Sequence, residues 1–158
     1  MNKKGPSLGE VLLAAAKWVP GVWTAEGNLN RTALSRYFED QGHSLSQPTL
    51  HRLFADKTPV DKKSPRKLSP ETVEAVHAVL KIPRSMLRGE PMSADTERAI
   101  TQFGLDVFLL AQRIAELPSE YRQNLVAQID ERLKREADLK KALEAGTVIP
   151  INRRSSPT

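Results

Sequence analysis

The chain has 158 residues, of which 39% are hydrophobic and 27% charged, with a formal net charge of +5 and no cysteine. That length suits one moderate domain, or a small domain with an appendage. The lack of cysteine removes disulfides, thiolate metal sites and cysteine nucleophiles together, and the histidines His43, His51 and His77 show no i, i+4 pairing of the kind a metal site uses. No apolar run approaches the roughly 18 residues of a membrane span. The basic start at Met1–Lys4 is not followed by the long apolar core of a secretory signal. Composition therefore predicts a cytoplasmic protein with no membrane partner, metal or cofactor.

Alternating β-branched runs are missing and aromatics make up only 5%, so an all-α fold is expected. The first helix is predicted over 7–19. Ser7 and Glu10 have capping-box spacing, in which the two side chains satisfy free N–H groups reciprocally. Leu8, Val11, Leu12, Ala15 and Val19 form its apolar stripe, and Pro20-Gly21 stops it. The second helix starts after the N-cap Asn30, buries Ala33, Leu34, Tyr37 and Phe38, and ends at Gly42. The third is predicted over 47–55. Ser46 caps it, and Pro48 sits in the first turn, where a missing N–H costs little. Leu50, Leu53 and Phe54 point inward, leaving Thr49, His51 and Arg52 outside. A polar, basic linker follows over 56–68. The fourth helix opens at Ser69-Pro70-Glu71, with Val73, Val76, Val79 and Leu80 as core positions and Ile82-Pro83 as its end. A short fifth helix over 84–88 is closed by Gly89.

Glu90–Met92 is the expected domain boundary. Beyond it Ile100, Phe103, Val107, Leu110, Ile114 and Leu117 recur at spacings of three and four, a heptad seam. Pro118 interrupts it. Tyr121, Leu125, Ile129 and Leu133 then continue at four-residue spacing in a helix that Gly146 ends. A helical hairpin is expected over 93–146, with a disordered tail over 147–158. The seam either packs only on its own chain or builds a dimer interface through Ile100, Phe103, Val107, Leu110 and Ile114. Two helices alone make a poor core, which favours the dimer.

The charge is uneven. Residues 1–92 carry 14 Lys and Arg against 9 Asp and Glu, whereas 93–158 carry 10 of each. Arg52, Lys57, Lys62, Lys63, Arg66 and Lys67 concentrate positive charge over 41–67, which attracts polyphosphate in a salt-sensitive manner. In the same region lie two short helices with an apolar contact: Leu34, Ser35 and Phe38 on one, Leu50 and Leu53 on the other, with Leu45 plugging the turn. A helix-turn-helix needs this arrangement, with a polar outer face on its second helix. Gln47 and Arg52 are types that bond adenine and guanine bidentately, and Thr49 can meet a thymine methyl. The free N–H groups that follow Ser46 suit a phosphate.

The stretch from Ala33 to Gly89 resembles the lambda-repressor-like, Cro-type helix-turn-helix family. The matching pieces are Ala33–Phe38, Leu45–Phe54, Leu68–Val73 and Val79–Pro83. The resemblance implies a five-helix fold that binds double-stranded operator DNA, usually as a dimer. It implies base contacts from Gln47, Thr49 and Arg52, and a role for Arg31 on phosphate or in positioning Gln47. Two departures stand out. Glu39–Ser44 replaces the family's short turn, and the linker between the third and fourth helices is long.

The DNA-contacting set expected is Arg31, Ser46, Gln47, Thr49, His51, Arg52, Lys57, Lys62 and Lys63. The expected function is a sequence-specific transcriptional regulator, a repressor acting as a homodimer on a palindromic operator. The alternatives are an antitoxin or accessory regulator that binds a protein partner as well as DNA, and a helical interaction adaptor that binds no DNA. No histidine-ligand motif or Gly-rich phosphate loop appears, so no catalysis is expected. Trp18, Trp23 and His77 read as packing residues.

Overall fold

The computed structural model describes residues 5–60 and 68–146, and these contain eight α-helices and no named strand. The helices are α1 (Leu8–Ala16), α2 (Arg31–Asp40), α3 (Gln47–Phe54), α4 (Pro70–Leu80), α5 (Arg84–Arg88), α6 (Ala94–Phe103), α7 (Leu105–Ala115) and α8 (Ser119–Glu144). Lys62, Lys63 and the tail over 147–158 lie outside the described residues. No helix among those described is long and apolar enough to cross a membrane.

One device starts five of these helices. The side chains of Ser7, Asn30, Ser46, Ser69 and Ser93 each accept a hydrogen bond from the backbone N–H three residues on. At α1 the capping box is complete, because the Glu10 carboxylate accepts from the Ser7 N–H at 2.6 Å. That bond, with the Ser7 hydroxyl, holds the Glu10 carboxyl below its ordinary value of 4.5. Pro48 and Pro70 occupy first turns, where their missing N–H groups would be unbonded in any case. The ends are less uniform. Gly89 closes α5 with φ of 70°. Helix α4 ends at Leu80, two residues before Ile82, where Lys81 itself adopts the left-handed conformation with φ of 59°.

The chain divides into two compact units, 1–116 and 117–158. In the first, α1 is apolar nearly all round and packs against α3, α4 and α7. Leu8, Leu12, Leu34, Phe38, Leu50 and Leu80 are among the fully buried side chains of its core. Burying an aliphatic or aromatic side chain of this size contributes about 1.5–3 kcal/mol. His77 lies on α4, and its Nδ1–H donates to the Ile82 carbonyl at 2.8 Å, satisfying the chain just beyond the helix end. The Trp23 indole donates to the Ala16 carbonyl at 2.7 Å and its ring packs against the core.

This unit runs well past the boundary expected at Glu90–Met92. Leu109 of α7 is buried in the front core, with Ile100, Leu105 and Phe108 packed against it. The Trp18 indole donates to the Asp106 carbonyl at 2.9 Å, and Lys17 pairs with the Asp106 carboxylate at 3.2 Å. The expected heptad seam is not one helical stripe. Gly104, with φ of 90°, divides it between α6 and α7. Beyond that break Leu109 is buried, and Leu105 and Phe108 are partly buried against the core. Phe103 and Val107 are exposed, and Leu110 and Ile114 are only partly covered. Spacings of three and four recorded apolar content correctly, but the break at glycine resets which side chains share a face.

The second unit contains α8, closed by Gly146 with φ of 69°. None of the 26 residues of α8 is buried.

Candidate nucleic-acid interface

Helices α2 and α3 pack through a short apolar contact. Leu34 and Phe38 from α2 and Leu50 and Leu53 from α3 all enter the core. Each helix is too short to persist alone in water, so this burial is what fixes both. The six residues between them, 41–46, are long for such a connection, yet three bonds hold them. The Gly42 and His43 N–H groups donate to the Glu39 and Phe38 carbonyls, each at 2.9 Å, finishing α2. The buried Ser35 hydroxyl donates to the Leu45 carbonyl at 3.0 Å, and Leu45 itself is buried. The longer turn is thus tied back to α2 at its far end.

At 100° per residue, one arc of α3 carries the exposed side chains of Gln47, Pro48, His51 and Arg52. The opposite arc carries Thr49, Leu50, Leu53 and Phe54, all buried or partly buried. His51 therefore lies between Gln47 and Arg52 on the outer face. Thr49 is displaced from the outward position expected of it. It is half-buried, and its hydroxyl is 2.9 Å from that of Ser46. Ser46 is exposed but committed as the cap of α3, accepting from the Thr49 N–H at 3.3 Å.

Two side chains of the outer face are steadied by α2. The Gln47 amide donates to the Thr32 hydroxyl at 3.3 Å. The Arg31 guanidinium hydrogen-bonds His51 Nδ1. Arginine can only donate, so Nδ1 accepts and the ring proton resides on Nε2. Arg31 was expected either to contact phosphate or to position Gln47, and the second role falls to another residue. Thr32 makes that contact instead, and Arg31 holds the histidine. Thr32 carried no signal in the sequence, because a threonine in the first turn of a helix is unremarkable until the partner helix is placed over it.

Four exposed cations lie on α2, on α3 or just after it. Arg31, Arg36, Arg52 and Lys57 are exposed, and no ion pair to any of them forms among the described residues. By contrast, Lys81 pairs with Glu116 at 2.7 Å and Arg84 with Glu74 at 2.7 Å. The two-pronged Arg84 hydrogen bond holds the Glu74 carboxyl below its usual range and raises the arginine in turn. Positive charge on the α2–α3 face is thus not offset by an ion pair among the described residues.

The far end of α3 is braced by α1. The Leu8 and Gly9 N–H groups, free because they open a helix, donate to the Thr58 and Asp56 carbonyls at 3.0 and 2.9 Å. The Val60 N–H returns a bond to the Pro6 carbonyl at 2.9 Å. A Cβ on Gly9 would overlap the Phe54 carbonyl oxygen, so glycine is what permits this approach. Lys57 leaves the chain between the two braced carbonyls. This brace was invisible in the sequence, where Gly9 sits inside an apparently ordinary capping box.

No group of His, Asp and Glu among the described residues is arranged to hold a metal ion. No family model, curated protein or solved structure matches the chain.

Proposed function

We propose that the first unit is a sequence-specific DNA-binding module of a transcriptional regulator, with α3 as its reading helix. The observation that carries this reading is the sorting of α3. Leu50 and Leu53 are sunk in the core, while Gln47, His51 and Arg52 share one exposed face beside unpaired cations. Gln47 and Arg52 suit adenine and guanine edges in a major groove, and the Nε2–H of His51 offers a donor between them. Ser46 takes the Thr49 N–H and Pro48 has none, so in the first turn of α3 only the Gln47 N–H is left for an approaching phosphate. Arg31 and Lys57, with Lys62 and Lys63 of the linker, supply backbone contacts. Thr49 supports the face from its flank. The module resembles the lambda-repressor-like family in its residue pattern, although the first unit holds seven helices, two more than that family's domain.

The protein acts as a cytoplasmic homodimer on a palindromic operator and represses by occluding polymerase. Selection of bound sites from a random duplex pool tests this reading. The expected result is an enriched site with two symmetric half-sites. Gln47→Ala should then relax preference at one base pair, at a cost of about 1–3 kcal/mol. Lys57→Ala should weaken binding to every sequence and lower the salt slope by about one. No enrichment and no binding to duplex DNA at low salt would overturn it. The exposed apolar residues of α8 favour a second reading, an adaptor or accessory regulator that uses a protein partner. An adaptor shows no affinity for random duplex at low salt.

A further inference from the structure

Helix α8 is 26 residues long, about 39 Å at 1.5 Å per residue. Its apolar residues fall on one side. At 100° per residue, Tyr121, Leu125, Ile129 and Leu133 advance slowly across an arc, Val126 marks its edge, and Leu139 and Leu143 return to its start. The whole arc spans about 140°. Leu125 is partly covered, and the other six are exposed, Leu133 at 58% and Leu143 at 71%. Surface of this kind along an entire helix marks an interaction site.

The charge along α8 indicates the occupant. Over 119–131 the helix carries Glu120, Asp130 and Glu131 against Arg122 alone. Over 132–144 it carries Arg132, Lys134, Arg135, Lys140 and Lys141 against Glu136, Asp138 and Glu144. The first half is net acidic and the second net basic. A helix of this pattern repels a parallel copy of itself and attracts a reversed one. The apolar positions obey the same reversal. Tyr121 and Leu143 lie equally far on either side of Arg132, as do Leu125 and Leu139, while Ile129 and Leu133 flank Glu131.

We infer that α8 is a self-complementary dimerisation helix, pairing antiparallel with α8 of a second copy of this chain about a centre near Glu131 and Arg132. The pairing has a two-fold axis at its middle, so each copy gives the same residues to the interface. It deepens the dimeric part of the function proposed above by naming the surface, and it moves that surface from the seam over 100–114 to α8. It does not depend on DNA being the ligand.

The chain has no cysteine, so any cysteine introduced into it is unique among these 158 residues. Arg122 and Lys140 both lie within the apolar arc, about 27 Å apart along the helix. Mass in solution is measured by sedimentation, and disulfide formation under mild oxidation is followed for three variants. A dimer is expected. Arg132→Cys should cross-link to its own copy. Arg122→Cys alone should not, but should cross-link when mixed with Lys140→Cys. Leu133→Asp should yield a monomer whose first unit melts as before. A monomeric parent protein overturns the inference, as does self-cross-linking of Arg122→Cys, which only a parallel pair allows. The function proposed above stands or falls separately. A monomer that still selects a DNA sequence overturns the inference and leaves the reading of α3 intact, while an antiparallel dimer indifferent to DNA supports the inference and overturns that reading.

Discussion

Leu34 and Leu133 are the same residue on the same kind of element, yet the first is fully buried and the second is 58% exposed. Helix α2, with 10 residues, lies below the length at which an isolated helix persists in water, so its existence depends on the core it enters. Helix α8 is long enough to form from local hydrogen bonds and from i, i+4 pairs such as Glu131 with Arg135. Helix formation and helix placement are thus separate problems. In the first unit the core solves both at once. In the second, local energetics solves the first, and the apolar arc of α8 stays uncovered.

The contrast breaks most directly at Phe38. Phe38→Ala should cost about 3–5 kcal/mol in chemical unfolding followed by circular dichroism. Leu133→Ala should leave the midpoint of the first unit unchanged within about 0.5 kcal/mol and weaken association instead. Equal losses from the two would erase the distinction between the regions. Next in size is Gly9→Ala. The added methyl must push against the Phe54 carbonyl, for a loss of about 1–3 kcal/mol with the N-cap left intact. A neutral or stabilising result, as plain helix propensity would give, would show that α1 does not brace α3. Ser35→Ala should cost on the order of 1 kcal/mol, because the buried Leu45 carbonyl loses its donor.

The smallest expected effect is pH-dependent. Glu10 is held below the ordinary carboxyl value by its bonds to the Ser7 N–H and hydroxyl, and Asp106 is lowered chiefly by Lys17. Depressed carboxyl groups stabilise the fold above their unfolded values and lose that contribution as pH falls through the lowered ones. Unfolding midpoints should therefore drop below about pH 4.5, and Glu10→Gln, which removes the titrating partner of the Ser7 N–H, should flatten that drop. A variant as acid-sensitive as the parent protein would remove the capping box from the account.

The sequence was most legible where a single residue type has a single local job. Ser46 and Ser69 announced helix starts, Gly89 and Gly146 announced stops, and Leu50 and Leu53 announced the inner face of α3. It was less legible where a face depends on what lies across from it. Thr49 seemed outward by type, but the helical period places it on the covered flank beside Ser46. The seam over 100–117 kept its spacing through Gly104, although a glycine at positive φ changes the direction of the chain and with it the buried register. Thr32 and Gly9 gave no signal, since their roles arise only when α3 is laid against α2 and α1.

The brace between α1 and the end of α3 also bears on how the protein assembles. The donors at Leu8 and Gly9 and the acceptors at Asp56 and Thr58 are far apart in the chain, so this contact closes a long loop and cannot form early by itself. Helix α1 gains its seat only once α3 has been built. A chain with a seated α1 has therefore already built α3 and completed its core. An exposed α1, apolar nearly all round, is then the mark of an unfinished chain and the surface that quality control would meet first.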